Sequence, residues 1–144
     1  MISKEIYMSK SVFVFDWDGT IFDSMDIKLV NFSSVLSKHC NLSYNEIKEF
    51  YKKYSGIPRR EILMSLFKNY RLQVMNCNIN IISDEISSKN KKALKNARIF
   101  KDFKNLFKIL KKLDKKICIS SSQKQDELDY FIEKKENNKK TILF

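Results

Sequence analysis

At 144 residues, 43% hydrophobic and 31% charged, the chain has the size and composition of one globular domain, or of one core with an insertion. No run of about eighteen apolar residues offers a membrane span, the opening Met1-Ile2-Ser3-Lys4-Glu5-Ile6 lacks the apolar run of a signal peptide, and Cys40, Cys77 and Cys118 are odd in number without metal-like spacing, so a reducing cytoplasm is expected. The net charge of +11 is mostly Lys spread over nearly every predicted helix, and no nucleic-acid-binding signature accompanies it; it reads as a solvated surface that attracts small phosphorylated molecules.

The first predicted element is Val12-Phe13-Val14-Phe15. Unbroken β-branched and aromatic residues predict a strand buried on both faces, as in a parallel sheet. The run leads straight into Asp16-Trp17-Asp18-Gly19-Thr20. Asp16 and Asp18 then stand at the carboxyl end of the strand, where open α/β sheets bind ligands. Their alternate spacing aims both carboxylates the same way, and Gly19 lets the backbone turn sharply near a ligand. The competing reading, acids serving only turns or helix caps, does not account for the strand, Gly19, Thr20 and the apolar Ile21-Phe22 together. A calcium loop is excluded because its glycine stands sixth, whereas Gly19 is fourth counting from Asp16.

Helices are predicted next. Met25, Leu29, Phe32 and Leu36 form a helical stripe. Ser43-Tyr44-Asn45-Glu46 fits a capping box, followed by the apolar face Ile47, Phe50, Tyr51 and Tyr54. Gly56 ends that helix and Pro58 suits the first turn of the next, which carries Ile62, Leu63, Leu66, Phe67 and Tyr70. Residues 71–82 read as a loop. A fourth helix is expected near Ser83-Asp84-Glu85, with Ile86, Ala93 and Ala97 on its buried face. Phe103, Leu106, Phe107, Leu110 and Leu113 mark another amphipathic helix. It runs into Lys116-Ile117-Cys118-Ile119-Ser120-Ser121-Ser122, a short buried strand ending in hydroxyls, in which Cys118 is a small packed thiol. A last helix carries Leu128, Phe131 and Ile132, with a stub at Thr141–Phe144. His39 is placed on a surface turn, and Lys28 is by default a surface lysine.

Asp16-x-Asp18-Gly19-Thr20 after a hydrophobic strand resembles the first motif of the haloacid dehalogenase-like (HAD) superfamily. The order of motif strand, helical insertion and second strand ending in serines is similar to its phosphoglycolate phosphatase and β-phosphoglucomutase-like branch. The likeness covers roughly residues 11–130. It implies an α/β fold: a Rossmann-like parallel-sheet core from 1–23 and 99–144, with an all-α helical cap from 24–98. It implies that Asp16 is the nucleophile forming an aspartyl-phosphate. Asp18 would protonate the leaving group and then activate water, and Mg²⁺ would be held by the Asp16 carboxylate and the Asp18 backbone carbonyl. Members that cleave carbon–halogen bonds do not keep the second Asp, so phosphate is the expected substrate group. Ser121, or Ser120 by a one-residue slip, would hydrogen-bond a phosphoryl oxygen, with Gly19, Thr20 and Ser122 beside it. Three serines opening a helix as caps is the alternative. Gly56-Ile57-Pro58-Arg59-Arg60-Glu61 resembles the substrate-specificity loop, where a guanidinium suits an anion. A solvent-exposed Arg59–Arg60 pair near Glu61 is the equal alternative.

The family's third-motif Lys and its acidic fourth motif have no match. After Ser121 the chain runs only to Phe144, while two further strand–helix units need on the order of 60 residues, at roughly 30 each. The expectation is therefore an incomplete core, truncated or frameshifted near Lys134–Lys140, with weak or absent phosphatase activity and an open sheet edge that invites self-association. The leading function is a Mg²⁺-dependent phosphatase of a small phosphorylated metabolite. The alternative is a non-catalytic domain that binds a phospho-ligand or a protein partner. Phosphosugar, phosphoglycolate and nucleotide substrates all stay open.

Overall fold

The computed structural model describes residues 8–72 and 78–136. Strand β1 (Val12–Asp16) and strand β2 (Lys116–Ser120) form a two-stranded parallel sheet. Their register sets Val12 against Lys116 and Asp16 against Ser120. Between them run α1 (Met25–His39), α2 (Tyr44–Tyr54), α3 (Arg59–Asn69), α4 (Ile79–Ala93), a 3₁₀ turn (Leu94–Asn96) and α5 (Lys101–Lys112); α6 (Gln125–Glu136) follows β2. This α/β arrangement, with helices inserted between two parallel strands, is the expected one. Among the described residues no helix is long and apolar enough to cross a membrane.

Local chemistry accounts for several boundaries. At α2 the Ser43 hydroxyl accepts from the Glu46 N–H while the Glu46 carboxylate accepts from the Ser43 N–H at 2.8 Å, a complete capping box. Pro58 fixes the entry to α3, and Gly56 takes the left-handed φ of +102° that the preceding turn needs. Helix α4 begins earlier than expected. The Asn78 side chain accepts the N–H of Asn80, so the helix opens at Ile79 and the supposed loop of residues 71–82 is shorter. It also ends at Ala93, which is exposed, before Ala97 is reached. His39 is the last residue of α1, not part of a turn, and its Nε2 lies 2.8 Å from Glu85 of α4. Cys77 and the Thr141–Phe144 stub lie outside the described residues.

Apolar side chains gather in two clusters. Phe32, Val35, Leu36, Ile47, Phe50, Ile62, Leu63, Leu66, Phe67, Ile82 and Ile86 close a helical layer built from α1 to α4. Trp17, Ile21, Phe22, Leu94, Ala97, Ile99, Phe103, Phe107, Leu128 and Phe131 form the second, under one face of the sheet. The outgoing and returning connections cross side by side. There the Asp23 N–H donates to the Arg98 carbonyl at 2.9 Å, and the Phe100 N–H donates to the Ile21 carbonyl at 3.0 Å.

The sheet departs from expectation in one respect. Phe13 and Phe15 are half-buried, but Val12 and Val14 are 49% and 63% exposed, so β1 is covered on one face only. Helices α5 and α6 supply the aromatic and apolar side chains of the covered face, and no described element covers the other. An apolar run signals burial capacity, but what lies against each face is a tertiary matter. Cys118, opposite Val14 in register, is accordingly half-exposed and not packed away.

Candidate active site

The carboxyl ends of β1 and β2 open into a cavity of about 660 Å³ whose far wall is helical. Register puts Asp16 beside Ser120, so the first acid and the serine run meet at one edge of the sheet. Asp16, Asp18, Ser120, Ser121 and Ser122 line the cavity from the strand side, and Arg59 and Arg60 line it from the start of α3. Gly19 and Thr20 are not among the lining residues; they shape the turn. The Gly19 N–H donates to the Phe22 carbonyl at 2.9 Å. At its φ of +76°, an added Cβ would stand 3.0 Å from Met25 Cγ. Ser121 does not cap α6: its hydroxyl accepts the Gln123 N–H at 3.1 Å and shapes the turn after β2.

Asp18 is held by both carboxylate oxygens. The buried Ser24 hydroxyl donates to one, and the Lys28 ammonium donates to the other at 2.6 Å. Lys28 is not the surface lysine its residue type suggested; it is 8% exposed on the inner face of α1. Burial pushes its pKa down, partly opposed by the attraction of Asp18. The same ammonium donates to the Gln123 side-chain carbonyl at 2.9 Å, joining α1 to the loop after β2.

A second buried ion pair faces the first. Arg59 Nη2 lies 3.0 Å from Glu127, a residue of α6 only 1% exposed, and Nη1 donates to the Ser83 carbonyl at 3.1 Å. Ser87 of α4 and the Gln123 amide at 3.3 Å also donate to the Glu127 carboxylate. Burial alone would raise the Glu127 pKa; the Arg59 guanidinium, the Ser87 hydroxyl and the Lys28 charge together more than offset that and hold it below the usual carboxylate range. Arg59 is thus neither an exposed neighbour of Glu61 nor an unclaimed anion receptor, whereas Arg60 is exposed.

Sequence reasoning overlooked Tyr51 and Gln123, which line the cavity, and Ser24 and Glu127, which hold its Asp18 and Arg59, and it ranked Lys28 low. Two of these had a readable signal. Lys28 stands four residues before Phe32, and Glu127 four before Phe131, so each charge falls on its helix's apolar stripe. A charge in that place needs a buried partner.

The family model for haloacid dehalogenase-like hydrolases matches residues 13–141. Among solved structures, the chain is similar to a haloacid dehalogenase-like hydrolase from Bacteroides fragilis, with a TM-score of 0.67 and 22% identity over 85% of this chain and 56% of that one. It is also similar to a hydrolase from Pseudomonas syringae, with a TM-score of 0.72 and 18% identity over 87% of this chain and 56% of that one. At these identities the likeness shows the fold alone, and the chain spans just over half the length of each structure. No curated protein matches it.

Proposed function

The chain belongs to the haloacid dehalogenase-like hydrolase family, and from that premise we propose that it hydrolyses phosphomonoesters through an aspartyl-phosphate on Asp16. The observation that carries this reading is the meeting of Asp16, Asp18 and Ser121 in the wall of one cavity, at adjacent ends of parallel strands.

An Asp16 carboxylate oxygen attacks phosphorus while the bond to the leaving oxygen breaks, and that oxygen takes a proton from the Asp18 carboxyl. Water then gives a proton to Asp18 and attacks the same phosphorus, releasing inorganic phosphate and restoring Asp16. The structure holds Asp18 as a carboxylate between Ser24 and Lys28; to act as the acid it takes up a proton brought in by the phosphomonoester monoanion and gives up one of these partners. Ser121 and nearby backbone N–H groups suit the phosphoryl oxygens. Residues of the helical layer form the far wall.

The Asp16 carboxylate and the Asp18 backbone carbonyl offer two hard oxygens, which suits Mg²⁺, a cation that keeps several water ligands. Among the described residues no group of three or more His, Cys, Asp or Glu side chains forms a fuller cage. When bound, Mg²⁺ offsets the repulsion between carboxylate and phosphate.

The test is Mg²⁺-dependent phosphate release from a panel of phosphomonoesters by the chain as it stands. Asp16→Asn is expected to lower the rate by a factor of about 10³ or more. Undiminished release by that variant would remove Asp16 as nucleophile.

A further inference from the structure

Resting on that hydrolytic reading, we infer that Gln123 is a positioning residue for the reaction: through Lys28 it holds Asp18 where the leaving oxygen needs a proton. Gln123 stands in the turn after β2, and its backbone N–H donates to the Ser121 hydroxyl oxygen at 3.1 Å, which ties it to the end of the strand. Its side chain spans the two buried ion pairs. The amide oxygen accepts from the Lys28 ammonium at 2.9 Å, and the amide nitrogen donates to the Glu127 carboxylate at 3.3 Å. Only this orientation of the amide satisfies both neighbours, because an ammonium has hydrogens alone to offer and a carboxylate lone pairs alone. Arg59, with both terminal nitrogens on Glu127, fixes the far end.

Lys28 carries the effect to Asp18. An ammonium on a long flexible stem stays in one place only when its partners are fixed, and Lys28 has two, Asp18 at 2.6 Å and Gln123. Of the two groups on Asp18, Ser24 has another acceptor within reach, the Phe22 carbonyl at 3.3 Å. Ser24 is buried, so this second acceptor lets its hydroxyl turn away without being left unsatisfied. Lys28 then stays on the other carboxylate oxygen, and Gln123 sets where that oxygen sits. A reacting group displaced by about 1 Å can lose about a hundredfold in rate. The amide thus acts on proton transfer through Lys28.

Two esters with different leaving groups isolate this role. Phenyl phosphate needs its leaving oxygen protonated, whereas 4-nitrophenyl phosphate releases a stable phenolate and needs little help from an acid. With the whole chain and Mg²⁺, Gln123→Met is expected to lower kcat/KM about tenfold for phenyl phosphate and less than about twofold for the nitrophenyl ester. An equal loss for both means that Gln123 contacts the phosphate or only supports the fold, and no loss for either means that Lys28 needs no second partner; each overturns the inference. Urea unfolding gives a measure independent of activity. Gln123→Met should raise the unfolding equilibrium constant about fivefold more in the chain with Lys28 than in a Lys28→Met background; equal effects in the two would show that the amide does not hold the ammonium. Gln123→Ala serves both measurements if Gln123→Met does not fold. If the unaltered chain hydrolyses the nitrophenyl ester alone, Asp18 is not placed as an acid, and the inference falls while hydrolysis stands. If it hydrolyses other esters but neither of these, the unfolding comparison decides. If it hydrolyses no phosphomonoester, the hydrolytic reading falls and takes the role of Gln123 with it.

Discussion

Leu63 and Leu66, at the centre of four helices, have no surface in water, whereas Val14, in the middle of β1, leaves 63% of its surface there. The helical layer has an unbroken apolar cluster, and side chains cap the starts of α2 and α4. The sheet layer carries the two acids and the serine run, yet it is packed on one face only. The residues assigned to chemistry thus stand on the less supported half, and two ion pairs bind that half to the other. Lys28 reaches from α1 to the motif turn, and Arg59 reaches from α3 to α6. The cavity's shape accordingly depends on contacts between layers as much as on either core.

Substitutions can break or sharpen this contrast. Leu66→Ala, in the sealed cluster, should cost about 2–5 kcal/mol in urea unfolding; a loss below about 1 kcal/mol would show that the helical layer is loosely packed. Arg59→Met leaves Glu127 without its cation and should cost about 2–3 kcal/mol, somewhat less than a fully buried pair because Arg59 is partly exposed. Acid should weaken the same clasp. The Glu127 pKa is lower in the folded chain than in the unfolded one, so its contribution is complete above about pH 4.3 and fades as pH falls through the folded value. Unfolding measured from pH 6 to pH 3 should show this loss, and Glu127→Gln should flatten it. Ser43→Ala removes one half of the capping box and should cost about 1 kcal/mol. Val14→Thr, on the open face, should change stability by no more than about 0.5 kcal/mol. A cost of several kcal/mol there would mean that the face is covered in solution.

What could be read from the sequence was mostly local. Strand β1, the turn at Gly19, the Ser43–Glu46 box and the entry at Pro58 are each dictated by neighbours within a few residues. The start of α4 was missed because Asn78 is one of several Asn in a polar stretch, and nothing local marks it as the cap. The exposed face of β1 was missed because Val12 and Val14 are as apolar as Phe13 and Phe15, and composition alone does not show which side finds a partner. Neither ion pair follows from a local pattern: Lys28 and Asp18 are ten residues apart across a turn, and Arg59 and Glu127 are 68 apart. Helical periodicity places Lys28 and Glu127 on inward faces, but only the folded arrangement pairs them. The cavity was therefore half legible: its acids and serines could be named, while the groups that orient and neutralise them could not.

The turn at Gly19 has a consequence for the genetics of this chain. A Gly19→Ala allele carries two separate defects, a left-handed backbone that alanine resists and a methyl group pressed onto Met25. A second-site change of Met25→Ala relieves the crowding and leaves the backbone strain of about 1 kcal/mol. Suppressors of such an allele should therefore arise at position 25 and restore function only in part, with full reversion confined to codon 19 itself.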